Sequence, residues 1–432
     1  MRAARAAPER RASVVGPDPL AVVSSRMNVR DRLSVCYVVP GHDLLSSSGP
    51  TRNVLNLAGA LSRQADVTVA FRRLAERIEL DGVKTVEIQG GGTTGSPDDA
   101  ATSGIGYREF LQYLQALRRF SAETLRSFDI VLEKSWLLSG YLSSLSRKRG
   151  QLGVPIENIV PDPRHAARQQ LGKHLRISVG RWIAGRELRR APLIIAETEF
   201  LKKEIAQFWR VAPERIAVVD LGVDRTLFQS KEHAVARERL GIAATRTILM
   251  YVGVLDWTHN LEPVLRALAD LADPNVELHV VGDGERGEQY RELAKQLRVG
   301  AVFHGRVPHR EVPWYISAAD LCLAPYDPAA FSSGELGYST MKIPEYMSTG
   351  RAVVSVPSGR IRSLVTHGQT GFLFDNRLEL WQRFLRELPS RERLGEMGIA
   401  ASKVRLPSWD DTATAYLELC RQQLDAARRA RG

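Results

Sequence analysis

Lys342 and Glu345, in the run MKIPEYMSTG, carry the clearest chemistry in this 432-residue chain. Pro344 suits the first turn of a helix, where its missing N–H is not needed. Gly350 suits the end of that helix. A lysine therefore sits at the entry of a predicted helix, with a carboxylate one turn inside it. Free backbone N–H groups and the helix dipole favour an anion there, and Lys342 adds a full positive charge. Glu345 cannot hold a phosphate, but it can accept hydrogen bonds from the hydroxyls of a ribose. A cation and a carboxylate at this spacing suit a nucleoside diphosphate with a sugar attached.

The surrounding sequence predicts how that pair is held. Residues 302–356 read as strand, loop, helix, strand, long loop, helix, strand. The apolar runs 321–324 and 352–356 are short and continuous, as in strands buried on both faces of a parallel sheet. Upstream, strands are predicted at 247–252 and 276–281, with helices at 261–271 and 285–297. The first half repeats the alternation. A strand at 33–39 leads through a Ser/Gly-rich loop to a helix at 50–61, with Val54, Leu57, Ala58 and Leu61 on one face. Further strands are predicted at 67–70, 130–133, 154–159, 193–196 and 216–219. This pattern predicts an α/β chain of two doubly wound Rossmann-like domains, residues 31–222 and 223–408, facing across a cleft. A last helix over 409–432 is expected to pack back on the first domain.

Composition sets the class. With 44% hydrophobic and 25% charged residues the chain reads as a soluble globular protein. No apolar run approaches the ~18 residues a bilayer span requires. Cys36, Cys322 and Cys420 are far apart in apolar segments, so they read as buried thiols in a reducing, cytoplasmic setting. Residues 1–30 are basic, rich in Ala, Arg and Pro, and have no apolar signal core; they are expected to be disordered. The net charge of +11 is uneven. Residues 1–224 hold 33 Lys and Arg against 24 Asp and Glu, the remainder 27 against 25. The segment from Arg164 to Arg190 is strongly basic with interspersed apolar residues. It is either a solvated helix face or a peripheral contact with an anionic membrane. Nucleic acid is not an expected partner, because stacking aromatics do not interleave the basic residues.

From residue 249 to 374 the blocks LMYVGVLDWTHNLEPVLRAL, LHVVGDGE, FHGRVPHREVPWYISAADLCLAPY, MKIPEYMSTGRAVVSV and HGQTGFLF follow one another. Together they resemble the C-terminal domain of GT-B glycosyltransferases of the family 4 type. The first half is a weaker match, through its SSGP helix entry, ETEFLKKEI and IAVVDLGVDRTLF. The resemblance implies a retaining transferase that moves a sugar from a nucleoside diphosphate sugar to an acceptor on the first domain. It implies no bound metal or other cofactor. Lys342 then neutralises the leaving diphosphate and Glu345 holds the ribose. Gly49, Gly253, Gly282, Asp283 and Arg306 fall where the donor passes.

The sequence departs from the family in two places. The first glutamate of the family's paired motif falls at Gly337, with Glu335 two residues away. The family's Arg and Lys after the first strand of this domain fall at Val254 and His259, so His259 is expected to supply a hydrogen bond in place of a cation. A histidine near the reacting sugar is implied; His165, or else His42, is the candidate, with Glu157 and Asn158 as further cleft residues. These departures leave two alternatives: a non-catalytic protein that binds nucleotide sugars, or a related GT-B epimerase or phosphorylase.

Overall fold

The computed structural model describes residues 32–41, 49–72, 82–88, 107–160 and 171–430. The basic extension 1–30, His42 and His165 lie outside the described residues.

Short apolar runs assemble into two parallel sheets. The first holds β1 (Ser34–Val39), β2 (Asp66–Phe71), β3 (Val83–Glu87), β4 (Ile130–Lys134), β5 (Leu152–Glu157), β6 (Ile194–Ala196) and β7 (Ile216–Val218). Their spatial order is β3-β2-β1-β4-β5-β6-β7. The second holds β8 (Thr247–Val252), β9 (Val276–Val281), β10 (Ala301–Gly305), β11 (Leu321–Ala324), β12 (Ala352–Ser355) and β13 (Gly371–Leu373). Their order is β10-β9-β8-β11-β12-β13. Strand order reverses beside β1 in one sheet and beside β8 in the other. Such switch points leave a crevice beyond the strand C-termini, where ligands of open α/β sheets bind.

The strands form where the sequence is apolar on both faces. Every residue of β4, β5, β11 and β12 is buried. β8, β9 and β11 occupy the predicted residues. β5 ends at Glu157, two residues earlier than expected, so Asn158 belongs to the following loop. β3 had no sequence signal because it is a half-exposed edge strand carrying Lys84 and Glu87.

The chain crosses between the sheets twice, and the crossings run side by side. Val223 donates its N–H to the Pro407 carbonyl at 2.9 Å. At Gly222 a Cβ would lie 2.4 Å from the Trp409 nitrogen, so only glycine fits. The helix Trp409–Arg429 starts from a capping box, with the Ser408 hydroxyl accepting from the Asp411 N–H at 3.1 Å. Its Trp409, Tyr416 and Leu417 enter the same core as Leu57 and Leu61 of α1 (Gly49–Ser62) and Tyr37 of β1. Met341, one residue before Lys342, packs against that core as well.

Candidate active site

Lys342 is the first residue of the helix Lys342–Ser348, so it belongs to the first turn and does not merely precede it. Its Nζ donates to Tyr251 Oη at 3.2 Å and to His259 Nε2 at 2.9 Å. It also lies over the Tyr251 ring at 4.4 Å and the Tyr326 ring at 5.2 Å. Ring faces attract a cation, most strongly where water is scarce. Burial pulls the Lys342 pKa down to about 7, although Asp256 and Glu345 act in the opposite direction.

His259 supplies a hydrogen bond and not a charge, as its position suggests, but the bond is to Lys342. Its Nδ1 lies 2.8 Å from Asp256 Oδ1, and Thr258 Oγ1 lies 3.0 Å from the same nitrogen. Burial, followed by the neighbouring Lys342 charge, lowers the His259 pKa to about 4. Asp256 stays ionised: burial pushes its pKa up, but the bonds from His259 and Thr258 hold it at about 2. A neutral imidazole between a carboxylate and an ammonium has one consistent arrangement. Nδ1–H donates to Asp256, and the Nε2 lone pair accepts from Lys342. Asp256, His259 and Lys342 thus form a line that aims the ammonium. Sequence reasoning missed Asp256, although its spacing three residues before His259 was visible.

The floor beneath Lys342 is bare backbone. Gly253, directly after β8, has φ +149°, and a Cβ there would lie 2.6 Å from Lys342 Nζ. Gly282, directly after β9, has φ +124°, and its Cβ would lie 1.9 Å from the Gly253 carbonyl oxygen. Both positions require glycine, so that Lys342 can pack against Gly253 and the two strand exits can pack against each other. Asp283 serves the loop: its carboxylate pairs with Arg291 at 3.1 Å, and its carbonyl accepts from the Leu255 N–H at 3.1 Å. Arg306 is exposed just past the edge strand β10. Gly49 opens α1 in the first domain.

Glu345 sits in the first turn of the Lys342 helix, half-buried. Its carboxyl makes no hydrogen bond among the described residues. Burial pushes its pKa up to about 8, opposed by Lys342 and reinforced by Asp224. The group is therefore available to ligand hydroxyls. Glu335 cannot replace the missing first glutamate of the motif. It accepts from Ser358 Oγ at 2.7 Å, from the Gly359 N–H at 2.8 Å and from Arg362 at 2.7 and 3.0 Å. Gly337 instead ties its loop to the first domain. Its carbonyl accepts from Thr198 Oγ1 at 2.7 Å, and the Ser339 N–H donates to Glu197 Oε2 at 3.3 Å.

Residues 246–388 match the family model "Glycosyl transferases group 1", and residues 47–227 match "Glycosyltransferase Family 4". A D-inositol 3-phosphate glycosyltransferase from Nocardioides sp. is 26% identical over 343 residues, 73% of this chain and 70% of the relative. Among solved structures, sucrose-phosphate synthase from Thermosynechococcus elongatus superposes with a TM-score of 0.73 at 19% identity, over 91% of this chain and all of the other. Anabaena HepE, solved with UDP and glucose, superposes with a TM-score of 0.66 at 16% identity, over 90% and 99%. The two family matches cover both Rossmann-like domains, and the superpositions reproduce the two-sheet architecture around the Lys342 cleft. The chain belongs to the group 1 glycosyltransferases of the GT-B fold.

Proposed function

We propose that the protein is a retaining, metal-independent glycosyltransferase that moves a sugar from a nucleoside diphosphate sugar to an acceptor hydroxyl. The observation that carries this reading is the aimed Lys342 ammonium above the bare Gly253–Gly282 floor. A diphosphate there would meet a full charge and close main chain, and Glu345 would receive the ribose hydroxyls. In the reaction the bond from the sugar C1 to the diphosphate oxygen breaks. The acceptor oxygen bonds to C1 on the same face, and its proton passes to the departing phosphate oxygen. Lys342 stabilises the charge that develops on the leaving group, the task for which fixed cations contribute most.

The test is a panel of UDP-, GDP-, ADP- and dTDP-linked sugars offered to the purified protein with EDTA present. Thermal shift reports binding and nucleotide release reports turnover. One donor should stabilise the wild type but neither Lys342→Ala nor Glu345→Ala, and should be turned over in EDTA with the anomeric configuration kept. Turnover that EDTA abolishes would refute metal independence. Binding without release, across broad acceptor mixtures, would point to a non-catalytic sugar-nucleotide binder. Release of a free epimerised sugar would point to an epimerase.

A second reading concerns location. On the helix Leu171–Leu188, Trp182 is 63% exposed and its ring lies 5.4 Å from the Arg186 guanidinium. Arg189 and Arg190 are exposed just beyond the helix end. An exposed tryptophan among arginines suits the headgroup region of an anionic bilayer. No helix among the described residues is long and apolar enough to cross a membrane. Sedimentation with anionic vesicles, lost in Trp182→Ala, is the expected result; equal binding to neutral vesicles would rule this reading out.

A further inference from the structure

Three neighbouring strands of the first sheet each end on a charge. β4 ends on Lys134, β5 ends on Glu157, and β6 runs directly into Glu197. Charged residues at strand ends ordinarily reach water. These three are 1%, 2% and 3% exposed. Their hydrogen-bonding capacity is not used up by the protein either. Among the described residues Lys134 makes no hydrogen bond or ion pair, and Glu197 and Glu157 act on it only through space. Glu157 Oε1 is buried without a partner. Glu133, on the same strand as Lys134, shows the ordinary outcome, with its oxygens accepting from Trp136 Nε1 and the Ser143 N–H, both at 2.7 Å.

This edge abuts the Lys342 site. Glu197 receives the Ser339 N–H from the loop that leads into the Lys342 helix, and Asn53 Nδ2 of α1 at 3.3 Å on its other oxygen. The unbonded Lys134 ammonium and the unpaired Glu157 Oε1 are costly polar groups at this depth, and a ligand that reaches the strand ends would complete them. The ammonium requires acceptors and the carboxylates require donors. A hydroxyl is the group that does both at once. A phosphate only accepts, and it would bring further charge to a buried edge where desolvation already pushes the Glu157 carboxyl up to about 8, the Glu197 carboxyl up and the Lys134 ammonium down.

We propose that Lys134, Glu157 and Glu197 recognise the co-substrate opposite Lys342, and that it is a hydroxyl-rich ring or chain carrying no phosphate on the part they hold. The assignment rests on the glycosyl-transfer reading, and it separates this chain from relatives named for a phosphorylated inositol. The full chain is titrated calorimetrically, with and without UDP, against matched pairs: myo-inositol and D-inositol 3-phosphate, glucose and glucose 6-phosphate. The unphosphorylated member of at least one pair should bind at least about tenfold tighter. Glu157→Gln, which keeps shape, and Lys134→Met should each weaken that binding by about the same factor, with the Glu157→Gln melting temperature and UDP affinity unchanged. Preference for the phosphorylated members, binding by neither member of any pair, or wild-type polyol affinity in both variants would overturn the assignment. The UDP titration is a separate readout. A wild type that ignores UDP, and likewise GDP, ADP and dTDP, but still discriminates the pairs keeps the polyol site and discards the transferase reading.

Discussion

The two sheets present opposite kinds of edge to the cleft. In the second domain the edge is glycine at Gly253 and Gly282, with one lysine whose every neighbour is accounted for. In the first domain the edge is Lys134, Glu157 and Glu197, buried side chains of which Lys134 makes no hydrogen bond among the described residues and Glu157 has one oxygen unpaired. A diphosphate is the same in every donor, and close main chain plus a fixed cation suffices for it. An acceptor differs from enzyme to enzyme, and side chains can change without disturbing the strands that carry them. The comparison teaches that one edge is complete before the ligand arrives and the other is completed by it.

The sharpest way to break that contrast is to empty the finished edge. Lys342→Ala should reduce turnover by about a hundred- to a thousandfold and remove measurable nucleotide binding. Retained nucleotide affinity by calorimetry would show that Lys342 is not the diphosphate cation. Gly253→Ala is next. It places a Cβ against Lys342 Nζ in a left-handed conformation, with about 1–3 kcal/mol of strain. Its melting temperature and nucleotide affinity should both fall; an unchanged variant would mean that the floor has slack.

A pH series sharpens the same edge. The free-protein pKa of Lys342 is about 7, well below its unfolded value. Between the two values the unfolded chain holds the extra proton, so this group's contribution to ligand-free stability rises with pH across that window. A bound anion restores the proton, so binding takes one up. Nucleotide affinity should be flat below about 7 and then fall about tenfold per pH unit. Calorimetry in buffers of different ionisation heat would check the proton count; no uptake at pH 8 would contradict the assignment.

Asp256→Asn should be milder, lowering kcat/KM by about tenfold with little loss of stability. The amide can donate to Nδ1, which moves the imidazole proton to Nε2 and turns it towards the ammonium. Nitrogen NMR of His259 should show the tautomer change, and an unchanged tautomer would remove Asp256 from its positioning role. Glu335→Gln should matter least. Its bond to the half-exposed Arg362 contributes about 1 kcal/mol or less, and nucleotide affinity should not move.

The sequence was informative where one local pattern determined the outcome. β8 and β11 are nearly continuous apolar runs, β9 is β-branched and apolar around Glu277 and His279, each has a Gly or Asp at one end, and their limits agree with the structure. Lys342, Glu345 and Gly253 were readable because helix entry and strand exit impose residue types locally. The direction of the His259 hydrogen bond was not, since it depends on Asp256 and on burial that only the fold creates. Of the first-domain edge, only Glu157 was named as a cleft residue from the sequence. Lys134, Glu157 and Glu197 are scattered along the chain, and nothing local distinguishes a buried strand-end charge from a solvated one. The edge strand β3 escaped notice because its exposed face carries no apolar alternation.

The return of Trp409–Arg429 to the first sheet has a consequence for biosynthesis. The first domain's strands leave the ribosome well before Tyr416 and Leu417, which complete their core. Until then α1 and β1 present an apolar patch that the nascent chain cannot cover itself. Each missing buried side chain of that size withholds about 1.5–3 kcal/mol. The first domain therefore matures last although it is made first, and any fusion or truncation that detaches residues 409–429 should show its damage in the opposite half of the molecule.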